Sequence, residues 1–163
     1  NFVEESATSL DMSNALFHAG FAILGKDSIA MEKTMKITRS TIPTRKGDSS
    51  TFSGEVYVDA IPAEEAGLIA AIVHFAPGAR TAWHTHALGQ TIHVLEGVGC
   101  VQREGGDIEE IRAGDTVFFE PNENHWHGAP ADRFMAHIAI VREPESGAGT
   151  EWGKLVTDEE YGA

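Results

Sequence analysis

Two pairs of histidines in this chain have the spacing of metal ligands. His84 and His86 stand two apart in Pro77-Gly78-Ala79-Arg80-Thr81-Ala82-Trp83-His84-Thr85-His86. Side chains two apart share a face only where the backbone is extended, so the pair reads as a pincer on one strand face. Gln90 follows past a Leu88-Gly89 bend and brings an amide oxygen toward the same point. A second pair, His125 and His127, lies about 40 residues downstream in Asn122-Glu123-Asn124-His125-Trp126-His127-Gly128. If that strand runs beside the first, it can add a fourth ligand. Imidazole nitrogens and an amide oxygen suit Fe²⁺, Ni²⁺, Zn²⁺ or Co²⁺ equally well, because selectivity among them follows geometry and availability.

The elements that must hold these residues are short extended runs between Gly, Pro and Asn. They are Glu55 to Asp59, Leu68 to Phe75, Thr81 to His86, Thr91 to Leu95 ending at Glu96-Gly97, Val98 to Arg103, Ile108 to Ile111, Thr116 to Phe119, His125 to Gly128 and Arg133 to Arg142. Regular short strands with turn residues between them predict an all-β sandwich or barrel. Thr150 to Tyr161 reads as a short C-terminal helix, with Thr157 and Asp158 capping its last turn. Residues 1–34 differ in character and read as an N-terminal extension, non-native or flexible, to a metal-binding domain over residues 35–163. Met35-Lys36-Ile37-Thr38 resembles a domain start.

The chain of 163 residues has 25 acidic side chains against 12 Lys plus Arg, a net charge of −13. That balance argues against nucleic acid and against an anionic membrane surface, both of which need a basic face. Cys100 is the single cysteine, which excludes an intrachain disulfide. No apolar run approaches the length of a membrane span, and the N-terminus lacks the basic start of a secretory signal. The expectation is a cytoplasmic protein acting on a small molecule.

Gly78-x5-His84-x-His86-x3-Gln90-x6-Gly97 resembles the first cupin motif. Gly114-Asp115-x-Val117 with Glu120-Pro121-Asn122-x2-His125 resembles the second. The resemblance implies a double-stranded β-helix, or jelly roll, with a metal inside the barrel. Two positions depart from the family pattern. Gln90 replaces the usual Glu, which leaves a bound metal a stronger Lewis acid and weakens support for higher oxidation states. Asn122 replaces a Gly, and Asn tolerates left-handed backbone. Longer stretches, among them Gln102-Arg103-Glu104-Gly105-Gly106, His125-Trp126-His127-Gly128-Ala129 and Val156-Thr157-Asp158-Glu159-Glu160-Tyr161, are similar to small bacterial cupins that include manganese-dependent hydroxynitrile lyases.

That resemblance implies one divalent metal per subunit, manganese first among the candidates, held by His84, His86, Gln90 and His125. It implies a lyase that cleaves or forms cyanohydrins. It makes His137 a candidate base and places Ala71, Val73 and Phe75 in the substrate pocket. From the alternation of the last strand, Met135 and Val141 share the face of His137. His127 shares the face of His125 and is a second acid–base candidate, and the Thr81 hydroxyl could reach a substrate oxygen. Trp83, Trp126, His74 and His93 fall on the opposite strand faces. Two other readings are a cupin dioxygenase using Fe or Ni, and a non-catalytic ligand-binding cupin. Small cupins usually form homodimers, and Glu55 to Asp59 is the expected subunit edge.

Overall fold

A computed structural model describes residues 35–39, 43–142 and 144–162. The expected extension over residues 1–34 lies outside them. In chain order the elements are β1 (Arg45–Lys46), β2 (Phe52–Ser53), β3 (Val56–Ile61), a 3-10 turn (Glu64–Ala66), β4 (Leu68–Phe75), β5 (Arg80–His86), β6 (Gln90–Arg103), β7 (Glu109–Arg112), β8 (Thr116–Phe119), β9 (His125–Gly128), β10 (Met135–Arg142), β11 (Thr150–Leu155) and α1 (Asp158–Tyr161). All the strand pairings are antiparallel. One face runs β1-β3-β4-β10-β6-β8, and the other joins β7, β6, β9, β5 and β11, with β2 also on β5. This is the expected all-β jelly roll with one short C-terminal helix. Val56, Val73, Phe75, Ile92, Val94 and Met135 are among the buried side chains that fill the space between the faces. Each contributes about 1.5–3 kcal/mol by leaving water. Among the described residues no helix is long and apolar enough to cross a membrane.

Three local features differ from the sequence reading. Glu96-Gly97 is not a strand end. β6 continues through it, pairing with β10 and β8 before Gly97 and with β7 and β9 after it, so one strand serves both faces. Gly97 makes the change of direction at φ 78°, and a Cβ there would collide with the backbone of Phe134. The Gly97→Ala variant is therefore expected to lose at least ~2 kcal/mol, from left-handed strain plus that collision. Urea unfolding would measure it, and an unchanged midpoint would contradict the assignment.

The second difference is at the C-terminus, where Thr150–Leu155 is a strand rather than the start of a helix. It covers the edge of β5, pairing Thr150 with His86 and Trp152 with His84, and so satisfies backbone groups that a helix would leave open. Gly153 allows the close approach, since a Cβ there would lie 3.1 Å from the Trp83 carbonyl oxygen. Only Asp158–Tyr161 is helical, and Thr157 caps it as expected, in a reciprocal box with Glu160. Third, the expected subunit edge is partly covered within the chain, because β1 pairs with Tyr57 and Val58.

Asn122 is the non-glycine residue with positive φ among those described, at 62°. Its backbone N–H donates to the His86 carbonyl over 2.8 Å, which ties the turn before β9 to the end of β5.

Candidate metal centre

The pairing of β5 with β9 puts His84 directly across from His125. This is the juxtaposition the two histidine pairs needed. The ring centroids of His84 and His125 are 4.2 Å apart, and those of His84 and His86 are 5.1 Å apart. Phe119 stacks on His125 at 3.7 Å and fixes its plane. Gln90 opens β6 and brings its Oε1 to 3.1 Å from His125 Nε2. Ligand atoms of His84, His125 and His127 all lie within 4.8 Å of one another.

Thr81 is three residues from His84 and would face away from it on a regular strand. The register of β5 on β9 shifts by one between Arg80 and His84, which marks a β-bulge. A bulge re-aims side chains, and here Thr81 joins His84 and His86 in the cavity wall. The His127 backbone N–H donates to Thr81 Oγ1 over 3.1 Å, which leaves the hydroxyl hydrogen free for a guest.

The hydrogen bonds set which nitrogen of each ring points inward. His84 Nδ1 meets the Ala82 carbonyl oxygen at 2.9 Å, and His125 Nδ1 meets that of Glu123 at 2.8 Å. His86 Nδ1 meets Thr150 Oγ1 at 3.0 Å. Neutral rings that donate from Nδ1 keep the Nε2 lone pair. For His125 that lone pair faces Gln90 Oε1, so two acceptors oppose each other, an arrangement that a shared cation relieves. His86 Nε2 is buried with no partner, as is His127 Nε2. A buried polar atom without a partner needs an explanation, and a metal ion held by His86 Nε2 would supply one for that ring, whereas His127 Nε2 is left with its lone pair facing the cavity. The donor set therefore fits a divalent cation.

His127 is held differently. Its Nδ1 lies 3.2 Å from His137 Nε2, ring to ring rather than ring to carbonyl. His137 is fully buried behind it and does not line the cavity. Phe75 packs against both rings, with centroids 5.8 and 5.5 Å away.

The cavity measures about 180 Å³. That is below the roughly 300–1,000 Å³ of drug-sized sites and suits a small molecule. Ala71, Val73 and Val141 line it. Phe75 and Met135 do not. Both are 1% exposed or less and belong to the core beneath the histidines, Met135 filling the space over Gly99. Their alternation with cavity residues put them on the inner face, but the sheets close below the cavity floor. Reading Thr150–Leu155 as helix hid Thr150 and Trp152, which line the mouth together with Phe52. Trp152 stacks on His84 at 4.7 Å. The alternation Thr150-x-Trp152 was the available signal. Trp83 and Trp126 pack on the other side of the sheet with Val156, in agreement with their strand parity.

Burial strips the water that would solvate an imidazolium, and it pushes every ring in the cluster below its ordinary value. His84, His86 and His137 fall to about 4 and His125 to about 3. His127 is also driven well down, mainly by burial and then by His137 beside it. All are neutral at pH 7, which leaves His84, His86 and His125 able to ligate. The folded values lie below the unfolded value near 6.5, so the unfolded chain takes up more protons between them. Metal-free protein should therefore hold its stability above pH 6.5. It should lose stability as the pH falls toward 4, by up to about 1.4 kcal/mol per pH unit for each histidine. Thermal unfolding of the metal-free protein across that range checks this, and a Tm that stays flat would contradict it.

Comparisons with known proteins agree with this geometry. Residues 71–141 match the cupin domain family. An (R)-mandelonitrile lyase from Granulicella tundricola is 51% identical over 118 residues, covering 71% of this chain and 89% of that enzyme. The crystal structure of a cupin-like protein from Thermotoga maritima superposes with a TM-score of 0.67 at 39% identity, over 71% of this chain and 89% of that one. A predicted oxalate decarboxylase from Thermotoga maritima shares the fold at 22% identity, with a TM-score of 0.60, over 68% of this chain and 100% of that one.

Proposed function

We propose, from the premise that this chain belongs to the cupin family, that it is a metal-dependent hydroxynitrile lyase acting on small aromatic cyanohydrins. The observation that carries the reading is the difference between the histidines. His84 and His125 each direct Nδ1 to a carbonyl oxygen, His86 directs its Nδ1 to the Thr150 hydroxyl, and all three turn Nε2 toward the site, whereas His127 pairs with a second imidazole. Metal ligands characteristically donate their other ring N–H to such acceptors. Identity with a mandelonitrile lyase supports the substrate class.

His84, His86, Gln90 and His125 would hold the ion, Mn²⁺ by analogy with the lyase group. When bound there, it supplies Lewis-acid polarisation of the substrate oxygen. The rest falls to the chain. The aryl group lies against Ala71, Val73 and Val141, with Trp152 closing the mouth. Thr81 Oγ1–H donates to the substrate oxygen and orients it. His127 Nε2 takes the hydroxyl proton, and His137 Nε2 accepts from His127 Nδ1–H and spreads the charge of the resulting imidazolium. The C–C bond to the nitrile then breaks, its electron pair leaves with cyanide, and the aldehyde forms. The proton on His127 passes to cyanide and leaves as HCN, so the ring is ready for another turn. The apolar wall keeps water from competing. His137 thus acts through His127.

The assay is release of benzaldehyde from mandelonitrile by manganese-loaded protein. Release above the rate of buffer with Mn²⁺ alone supports the proposal. Release no faster than that control overturns it.

A further inference from the structure

We propose that Thr150 is a positioning residue of the metal centre, and that the C-terminal strap is therefore part of the site. The inference rests on the reading of His86 as a ligand. His84 and His125 are oriented locally, each by the carbonyl two residues before it on the same segment. His86 is not. Its Nδ1 partner is the hydroxyl of Thr150, 64 residues away on β11. The orientation of this one ring depends on a distant strand being docked.

The docking is well built. Thr150 pairs in register with His86, and the Ala87 N–H donates to the Gly149 carbonyl over 3.0 Å at the junction. At the far end, the buried Arg80 guanidinium donates to the Val156 carbonyl at 3.1 and 2.9 Å and to Asp158 Oδ1 at 2.6 Å. The Arg80 guanidinium carbon also lies 4.5 Å from the centre of the Tyr161 ring, and the Tyr161 hydroxyl donates to the Ala129 carbonyl. Arg80 opens the same strand that carries His84 and His86, so strap and pincer share one anchor.

The chemistry follows from the tautomer. While Thr150 Oγ1 accepts from Nδ1–H, the buried Nε2 of His86 keeps its lone pair. Without the hydroxyl, the Nδ1–H would be stranded in a half-buried site. The tautomer with its proton on Nε2, which cannot ligate, would then be favoured over it, since an unpaired buried N–H costs more than an unpaired lone pair. A partner of this kind typically changes metal affinity by about 10–100-fold.

The test compares wild type, Thr150→Val, Thr150→Ser and His86→Ala. Binding of Mn²⁺ alone is measured by calorimetry, and the His86 tautomer is read by ¹⁵N NMR in metal-free protein. Wild type should show the Nδ1–H form. Thr150→Val keeps the shape without the hydroxyl, and it should shift the ring toward the Nε2–H form and weaken Mn²⁺ binding about 10–100-fold. Thr150→Ser should restore both, which a merely structural role for the threonine methyl would not allow. Weakened binding in His86→Ala together with wild-type affinity and tautomer in Thr150→Val overturns this inference alone. Unchanged affinity in His86→Ala, or no binding by wild type, overturns His86 as a ligand and this inference with it.

Discussion

Replacing His125 with alanine is expected to strip the protein of its metal and bring cyanohydrin cleavage down to background. The side chain is wholly buried, sandwiched between Phe119 and His84, and its Nε2 faces Gln90 Oε1. It joins the pincer to Gln90, because β9 pairs beside β5 and sets His125 across from His84 while its Nε2 reaches the start of β6. Losing a direct ligand should exceed the roughly 10–100-fold cost of losing an outer partner, so affinity should fall by more than about 100-fold. Elemental analysis after dialysis, with near-UV circular dichroism to verify packing, checks the point. A folded His125→Ala protein that keeps stoichiometric metal would contradict the proposed ligand set.

The second large effect separates a ligand from a base. His127→Phe should retain metal and lose about 10²–10⁴-fold in kcat, the usual contribution of a positioned proton acceptor. Phenylalanine keeps an aromatic ring edge-on to Phe75 and near Phe119, and near-UV circular dichroism checks that the larger ring is accommodated in this buried position. The geometry gives this variant its force, because ligand atoms of His127 lie within 4.8 Å of those of His84 and His125. If metal leaves together with activity, His127 is a ligand and the proton has another acceptor. If metal stays and kcat falls, the imidazole pair His127–His137 is the proton-handling device.

The period-2 logic of strands made most of the site legible in the sequence. It set His84 beside His86, His125 beside His127, and Trp83 and Trp126 on the far side. Asn122 also behaved as its chemistry suggests, taking left-handed backbone where the motif has glycine. What sequence could not show were breaks in that period and the choice of partner. The bulge before His84 turns Thr81 inward, and nothing in Arg80-Thr81-Ala82-Trp83 announces it. Gly97 reads as a turn but is a bend inside a continuous strand, because its partners come from both faces. Thr150–Leu155 sits in an acidic stretch with a capping signal just beyond. Its strand character comes from the open edge of β5, which is a tertiary cause. Phe75 and Met135 share the right face but lie below the cavity floor, a matter of depth that alternation does not encode.

On the proposed mechanism, cyanohydrin cleavage depends on an ion held by these residues. The most direct test is a titration of Mn²⁺ into metal-free protein while benzaldehyde release from mandelonitrile is followed. The rate should rise in proportion to added metal and break at one ion per chain. A rate that is already full without metal, or that stays at the buffer level throughout, would contradict it.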